Sequence, residues 1–120
     1  MSFKASHQFA RIAPSKVRAF ADLIRGQEAR KGLELLRYEP NRGARMIEKV
    51  LKSAMANAEH GGARNVDHMK IVDAHVNMGP MLKRVSPRAR GMAYTIRRRF
   101  AHIHVSIDAV APKATAEAAK

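Results

Sequence analysis

Val72-Asp73-Ala74-His75-Val76-Asn77-Met78 alternates apolar with polar side chains, and His102-Ile103-His104-Val105-Ser106-Ile107-Asp108-Ala109 does the same. A period of two is the mark of a strand with one face buried and the other wet. The apolar positions are even-numbered in the first stretch and odd-numbered in the second. If the two pair antiparallel, opposed residues need an odd index sum for one face to be apolar throughout. A sum of 179 meets this condition, opposes Val76 to Ile103 and sets the turn near Ala89–Arg90. Two separate patterns therefore converge on one hairpin.

Upstream of this hairpin the period changes to that of a helix. Pro14 suits a first helical position, where its missing N–H is not needed. Val17, Phe20, Leu23 and Ile24 follow at helical spacing, and Gly26 is the stop. A short helix is predicted from Glu28 to about Arg37, ended by Pro40 and Asn41. The clearest helix runs from about Arg42 to Glu59, with Ala44, Ile47, Leu51, Ala54 and Ala58 forming its apolar stripe. Gly61 and Gly62 end it. Ser2 to Ile12 reads as a weak strand or extended arm. Phe3, Phe9 and Phe20 are expected to pack the globule, with Met55, Met69 and Met78 as filler. The sum is an α+β fold: a small globule of about three helices packed on a three-stranded antiparallel sheet, with a long protruding β-hairpin. One domain is expected over 1–120, with an extended basic hairpin at 79–100 and a fraying Ala-rich tail at 111–120.

The chain carries 23 Lys and Arg against 10 Asp and Glu, a formal charge of +13 in 120 residues. That surplus argues for a polyanionic partner. With no cysteine, disulfide scaffolds and thiolate-bound zinc are excluded. No apolar run approaches the roughly 20 residues a membrane span needs. Met1 to Ala10 has no secretory h-region, so a soluble intracellular protein is expected.

The charge is unevenly placed. Residues 80–100 hold Lys83, Arg84, Arg88, Arg90, Arg97, Arg98 and Arg99 and no acid, so seven of the 13 net charges lie on 21 residues. Two arms of ten residues would project about 30 Å, and an isolated two-stranded ribbon is marginal in water. A segment of this kind is expected to order fully only among phosphates. Six of its seven cations are Arg, whose planar fork grips phosphate and stacks on exposed bases. Single strands and irregular RNA present such faces more readily than a regular duplex. Tyr94 and Phe100 fit either base stacking or packing at the foot of the hairpin.

Four blocks resemble one family. Lys16-Val17-Arg18 with Ala21-Asp22-Leu23-Ile24-Arg25-Gly26 is similar to the first helix of the bacterial ribosomal large-subunit protein numbered twenty-two. Ser53-Ala54-Met55-Ala56-Asn57-Ala58-Glu59-His60 resembles the end of its long helix. Gly79-Pro80-Met81-Leu82-Lys83-Arg84-Val85-Ser86-Pro87-Arg88-Ala89-Arg90-Gly91 resembles its extended hairpin, and His102-Ile103-His104-Val105 its closing strand.

The resemblance implies a structural constituent of the large ribosomal subunit that binds its RNA, supports assembly and lines the nascent-peptide exit tunnel. It implies RNA contacts from Lys83, Arg84, Arg88, Arg90, Arg97, Arg98 and Arg99, and from Arg11, Lys16, Arg18 and Arg25. Leu82, Lys83, Arg84, Arg88, Ala89, Arg90 and Gly91 would line the tunnel. Expected partners are large-subunit ribosomal RNA, neighbouring large-subunit proteins and the nascent peptide, with no membrane, no homo-oligomer and no cofactor. The location implied is the ribosome of the cytoplasm, and the same features fit an organelle-encoded member. Ala13 stands where the family often has a capping Ser, a loss of about 1 kcal/mol.

Three rival readings arise from the residues. An enzyme needs a site, and there is no Walker loop, no dinucleotide-binding glycine pattern and no cysteine nucleophile. A transition-metal site could use His75 facing His104, with His102 two residues along; a row of polar side chains on a wet or RNA-facing sheet surface is favoured, and no metal is expected. An architectural protein pushing a basic β-ribbon into duplex DNA is the third.

Overall fold

The computed structural model describes residues 2–109. The elements are β1 (Ser2–Ala10), α1 (Pro14–Ile24), α2 (Ala29–Tyr38), α3 (Arg42–His60), β2 (Lys70–Pro87) and β3 (Ala93–Asp108), with 3-10 turns at Val66–His68 and Ala89–Gly91. The sheet runs β1-β3-β2, antiparallel throughout, and three helices cover one face. The Ala-rich tail expected at 111–120 lies outside the described residues.

Each helix forms where the pattern placed it, because each has one apolar stripe to bury. Val17, Ala21 and Ile24 of α1, Ala29 and Leu36 of α2, and Ala44, Ile47, Leu51, Ala54 and Ala58 of α3 are buried. They meet Ile71, Ala74 and Val76 of β2 and Ala101, Ile103, Val105 and Ile107 of β3 in one cluster. Leu23 lies off this stripe and is exposed. Glycine allows close approach where helices cross: a Cβ on Gly43 would stand 3.0 Å from the Lys16 carbonyl oxygen.

The register of 179 holds from Asp73↔Ser106 to Met78↔Ala101 and then shifts by one residue, to Met81↔Arg99. A second irregularity between Ile71 and Asp73 leaves Val72 without a partner. Val72 is therefore exposed and Ile71 takes the core position. Met78 keeps its place in the ladder opposite buried Ala101, yet it too is exposed.

The free edge of β2 is sealed within the globule. Gly26 N–H donates to the Ile71 carbonyl at 2.9 Å and Ile71 N–H to that of Gln27 at 2.8 Å. Arg25, at the C-cap of α1, and Arg18, within it, then donate to the Ala74 and Val76 carbonyls. Unpaired edges invite wrong pairing, and these groups remove that opportunity. Arg45 does a similar job inside the helical layer, donating to the Leu36 and Glu39 carbonyls at the end of α2 and pairing with buried Glu48 at 3.0 Å.

Beyond Met78 and Ala101 the hairpin leaves the globule. No residue from 77 to 100 belongs to the buried core, and the molecule measures 68 × 29 × 22 Å.

Candidate nucleic-acid interface

The hairpin's foot and the first turn of α1 enclose a cleft of about 710 Å³. Arg11, Lys16, Arg42, Arg84, Arg97, Arg98 and Arg99 line it, and no carboxylate does. The register accounts for Arg84 and Arg98: Leu82 opposes Arg98 and Arg84 opposes Ile96, so these two cations share one face of the ribbon. Arg11 arrives from the β1–α1 link, Lys16 from α1 and Arg42 from the start of α3. None of these seven takes part in an ion pair among the described residues. Cations left unneutralised side by side repel one another, so the cleft is stabilised by an anion that enters it.

Helix α1 adds to the same field. Ala13 is its N-cap, in extended conformation and with no side-chain hydrogen bond to the first turn. Pro14 brings no N–H and the Lys16 N–H donates to the Ala13 carbonyl at 3.1 Å, but the turn still carries the positive end of the helix dipole. Ala13, Ser15 and Lys16 all face the cleft.

Further out, Lys83, Arg88 and Arg90 continue the positive surface. Arg84 donates back to the Lys83 carbonyl at 3.0 Å. At the tip, Arg88 N–H donates to the Met92 carbonyl at 2.8 Å, and its guanidinium sits 5.5 Å from the centre of the Tyr94 ring. Arg90 and Gly91 both have positive φ, 61° and 70°, which closes the turn around Ala89. Leu82, Val85, Met92 and Tyr94 are exposed along the arm. An exposed apolar and cationic arm is covered when a partner encloses it.

Of the eleven cations implied as RNA contacts, the structure gathers six into the cleft and spaces three along the arm to its tip. Arg18 and Arg25 stand apart: they lie along β2's edge, where Arg25 also pairs with Asp22 at 2.8 Å. Arg42 is the cation that sequence reading missed. It sits alone at a helix start, and only the packing of α3 beside α1 brings it to the cleft.

Histidines occupy the opposite face of the sheet. His75 and His104 stack with ring centres 4.8 Å apart, and His75 Nδ1 lies 2.8 Å from Asp73 Oδ2. His102 Nδ1 accepts the Phe9 N–H at 3.1 Å. Among the described residues, no group of three or more His, Cys, Asp or Glu is placed to hold a metal ion. None of the helices there is long and apolar enough to cross a membrane.

The sequence pattern of the family described as ribosomal protein L22p/L17e matches residues 5–108. The chain belongs to this family. It is 48% identical over 110 residues to large ribosomal subunit protein uL22 of Rhodopirellula baltica, covering 88% of this chain and 92% of that one. It is 50% identical over 101 residues to the protein of the same name from Caldicellulosiruptor saccharolyticus, covering 84% and 83%. The L22p/L17e match spans globule and arm alike, so cleft and tip both lie inside the family pattern.

Proposed function

We propose that this chain is a structural, non-catalytic constituent of the large ribosomal subunit, bound to its RNA through the basic cleft and the arm. Phosphates enter the cleft at the hairpin's foot, and further RNA encloses the arm. Leu82, Lys83 and Arg84 along the arm, with Arg88, Ala89, Arg90 and Gly91 at its tip, then line the nascent-peptide tunnel. Lys83, Arg84 and Arg88 hold the arm among phosphates, and Arg97, Arg98 and Arg99 do so at its foot. Arg18 and Arg25 keep one donor each on β2 and offer the others to RNA.

One observation carries this reading: an acid-free cationic surface, free of ion pairs, runs from the cleft to the tip of an arm that contributes nothing to the core. Membership of the family supports it. Co-sedimentation of the chain with large subunits through a high-salt wash tests it; recovery in the free fraction would overturn it. Replacing Arg84, Arg88 and Arg90 with Ala should weaken RNA binding and flatten the plot of log affinity against log salt by about 2 to 3, since each lost phosphate contact removes about 0.7 to 0.9. Tighter binding to duplex DNA than to ribosomal RNA at the same salt would favour the architectural reading instead.

A further inference from the structure

The sheet face turned away from the helices carries a row of rings. His104 stands opposite His75, and their imidazoles are nearly parallel, 23° apart in plane. His102 lies two residues before His104 and so on the same side of the strand. Ala101, Ile103 and Val105 between and beside them are buried on the helical side. The Phe9 ring meets His102 edge-on, with centres 5.0 Å apart.

Phe9 is the unusual member. Its φ is 59°, in the left-handed region that bulky side chains avoid. β1 slips register between His7 and Ala10, and the bond from Phe9 N–H to His102 Nδ1 holds the strained conformation. The ring gains no burial from this, being 56% exposed. Strain without packing benefit is concentrated at functional positions.

The imidazoles themselves suit flat partners. Burial and the neighbouring imidazoles disfavour the charged form of His104. The Asp73 carboxylate is engaged by His75. A shallow concavity of about 650 Å³ lies over Ser6, His75, His104 and Ser106, with Lys4, Asp73 and Asp108 as its charged lining. Phe100, which lines the cationic cleft, and His102, which begins the row, are two residues apart on β3 and so on the same side of the strand.

We propose that this open sheet face is a platform on which unpaired RNA bases stack, with Phe9 the principal contact and the imidazoles of His102, His104 and His75 extending it. Rings on the bare face of an antiparallel sheet hold splayed bases in common RNA-binding modules, and such stacking tolerates any base. A strand whose phosphates occupy the cleft delivers its adjoining bases to the row. This rests on the RNA-binding reading above.

The test uses the full chain bound to large-subunit ribosomal RNA at one stated salt. Short-wavelength ultraviolet irradiation should leave nucleotide adducts on Phe9, His102 or His104. Phe9→Asn, whose side chain tolerates positive φ, should keep the melting temperature of the native chain. It should bind the RNA about fivefold or more weakly with an unchanged salt slope, since no charge is lost. Phe9→Trp should retain binding. Native-like affinity of folded Phe9→Asn, with no adducts on these residues, overturns the platform and leaves RNA binding intact. Adducts on a neighbouring protein in assembled subunits overturn it as well. Failure of the native chain to bind the RNA at all removes the functional reading and, with it, this inference.

Discussion

Ala13 and His104 show how single residues tune this protein. Ala13 already has the extended backbone of an N-cap, φ −68° and ψ 136°, but no side-chain oxygen to offer the first turn of α1. Ala13→Ser should supply that acceptor and stabilise the chain by about 1 kcal/mol. For a protein of this size the gain is about 4 °C in melting temperature, readable by calorimetry; an unmoved melting point would mean that the turn is satisfied by water. His104 works through protons. Burial first, then the like charges that His75 and His102 can carry, lower its pKa from the ordinary 6.5, and Asp73 opposes them only in part. The unfolded chain therefore holds the proton at pH values where the native chain has released it. The part of stability linked to His104 is complete above 6.5 and falls as pH drops through 6.5 towards the lowered native value. His104→Asn, neutral at every pH, should flatten that part of the curve of melting temperature against pH. An undiminished slope would place the titration elsewhere.

At the scale of elements, globule and arm are separable. No core residue comes from 77–100, and Met78 and Ala101 are directly opposed. Replacing residues 79–100 with Asn-Gly, the pair best suited to a two-residue hairpin, should leave a cooperatively folding globule with near-native melting. The same chain should fail to support large-subunit maturation in cells. Loss of cooperative melting would show that the arm stabilises the fold. The place where the arm leaves the buried core was legible in the sequence because alternation and charge change together at Gly79. The three helices were legible for the same kind of reason, since their stripes are long and regular. Bulges were not. A period-two pattern reads straight through Val72, whereas the backbone inserts it as an extra residue and gives its core place to Ile71. Phe9 was misplaced because an apolar side chain scores as core in any pattern, and only the strained backbone before Ala10 turns it outward. Within the candidate interface, the run from Lys83 to Arg99 announced itself by composition. The cleft did not, because Arg11, Lys16 and Arg42 reach it only through the packing of α1 against α3.

For the whole molecule, charge and shape act against each other until a partner arrives. Seven cations on a two-stranded arm repel at short range, and water on both faces leaves its ladder of hydrogen bonds poorly protected. The three-stranded part shares none of these burdens, since Ile103, Val105 and Ile107 are sealed under helices. Amide hydrogen exchange in the free chain should therefore divide at the register shift between Met78 and Met81. Amides from Met81 to Ile96 should exchange through local opening, far faster than those of Ile103 and Val105, which open only with the globule. Raising the salt should slow arm exchange, because a Debye length of about 10 Å at 0.1 M shrinks to about 3 Å at 1 M and screens the repulsion. Large-subunit RNA should slow it further, by enclosing the arm as well as neutralising it. Uniform protection along β2 in the free chain, insensitive to salt, would mean that the ribbon is stable by its own contacts. Its arginines would then owe nothing of their order to phosphate.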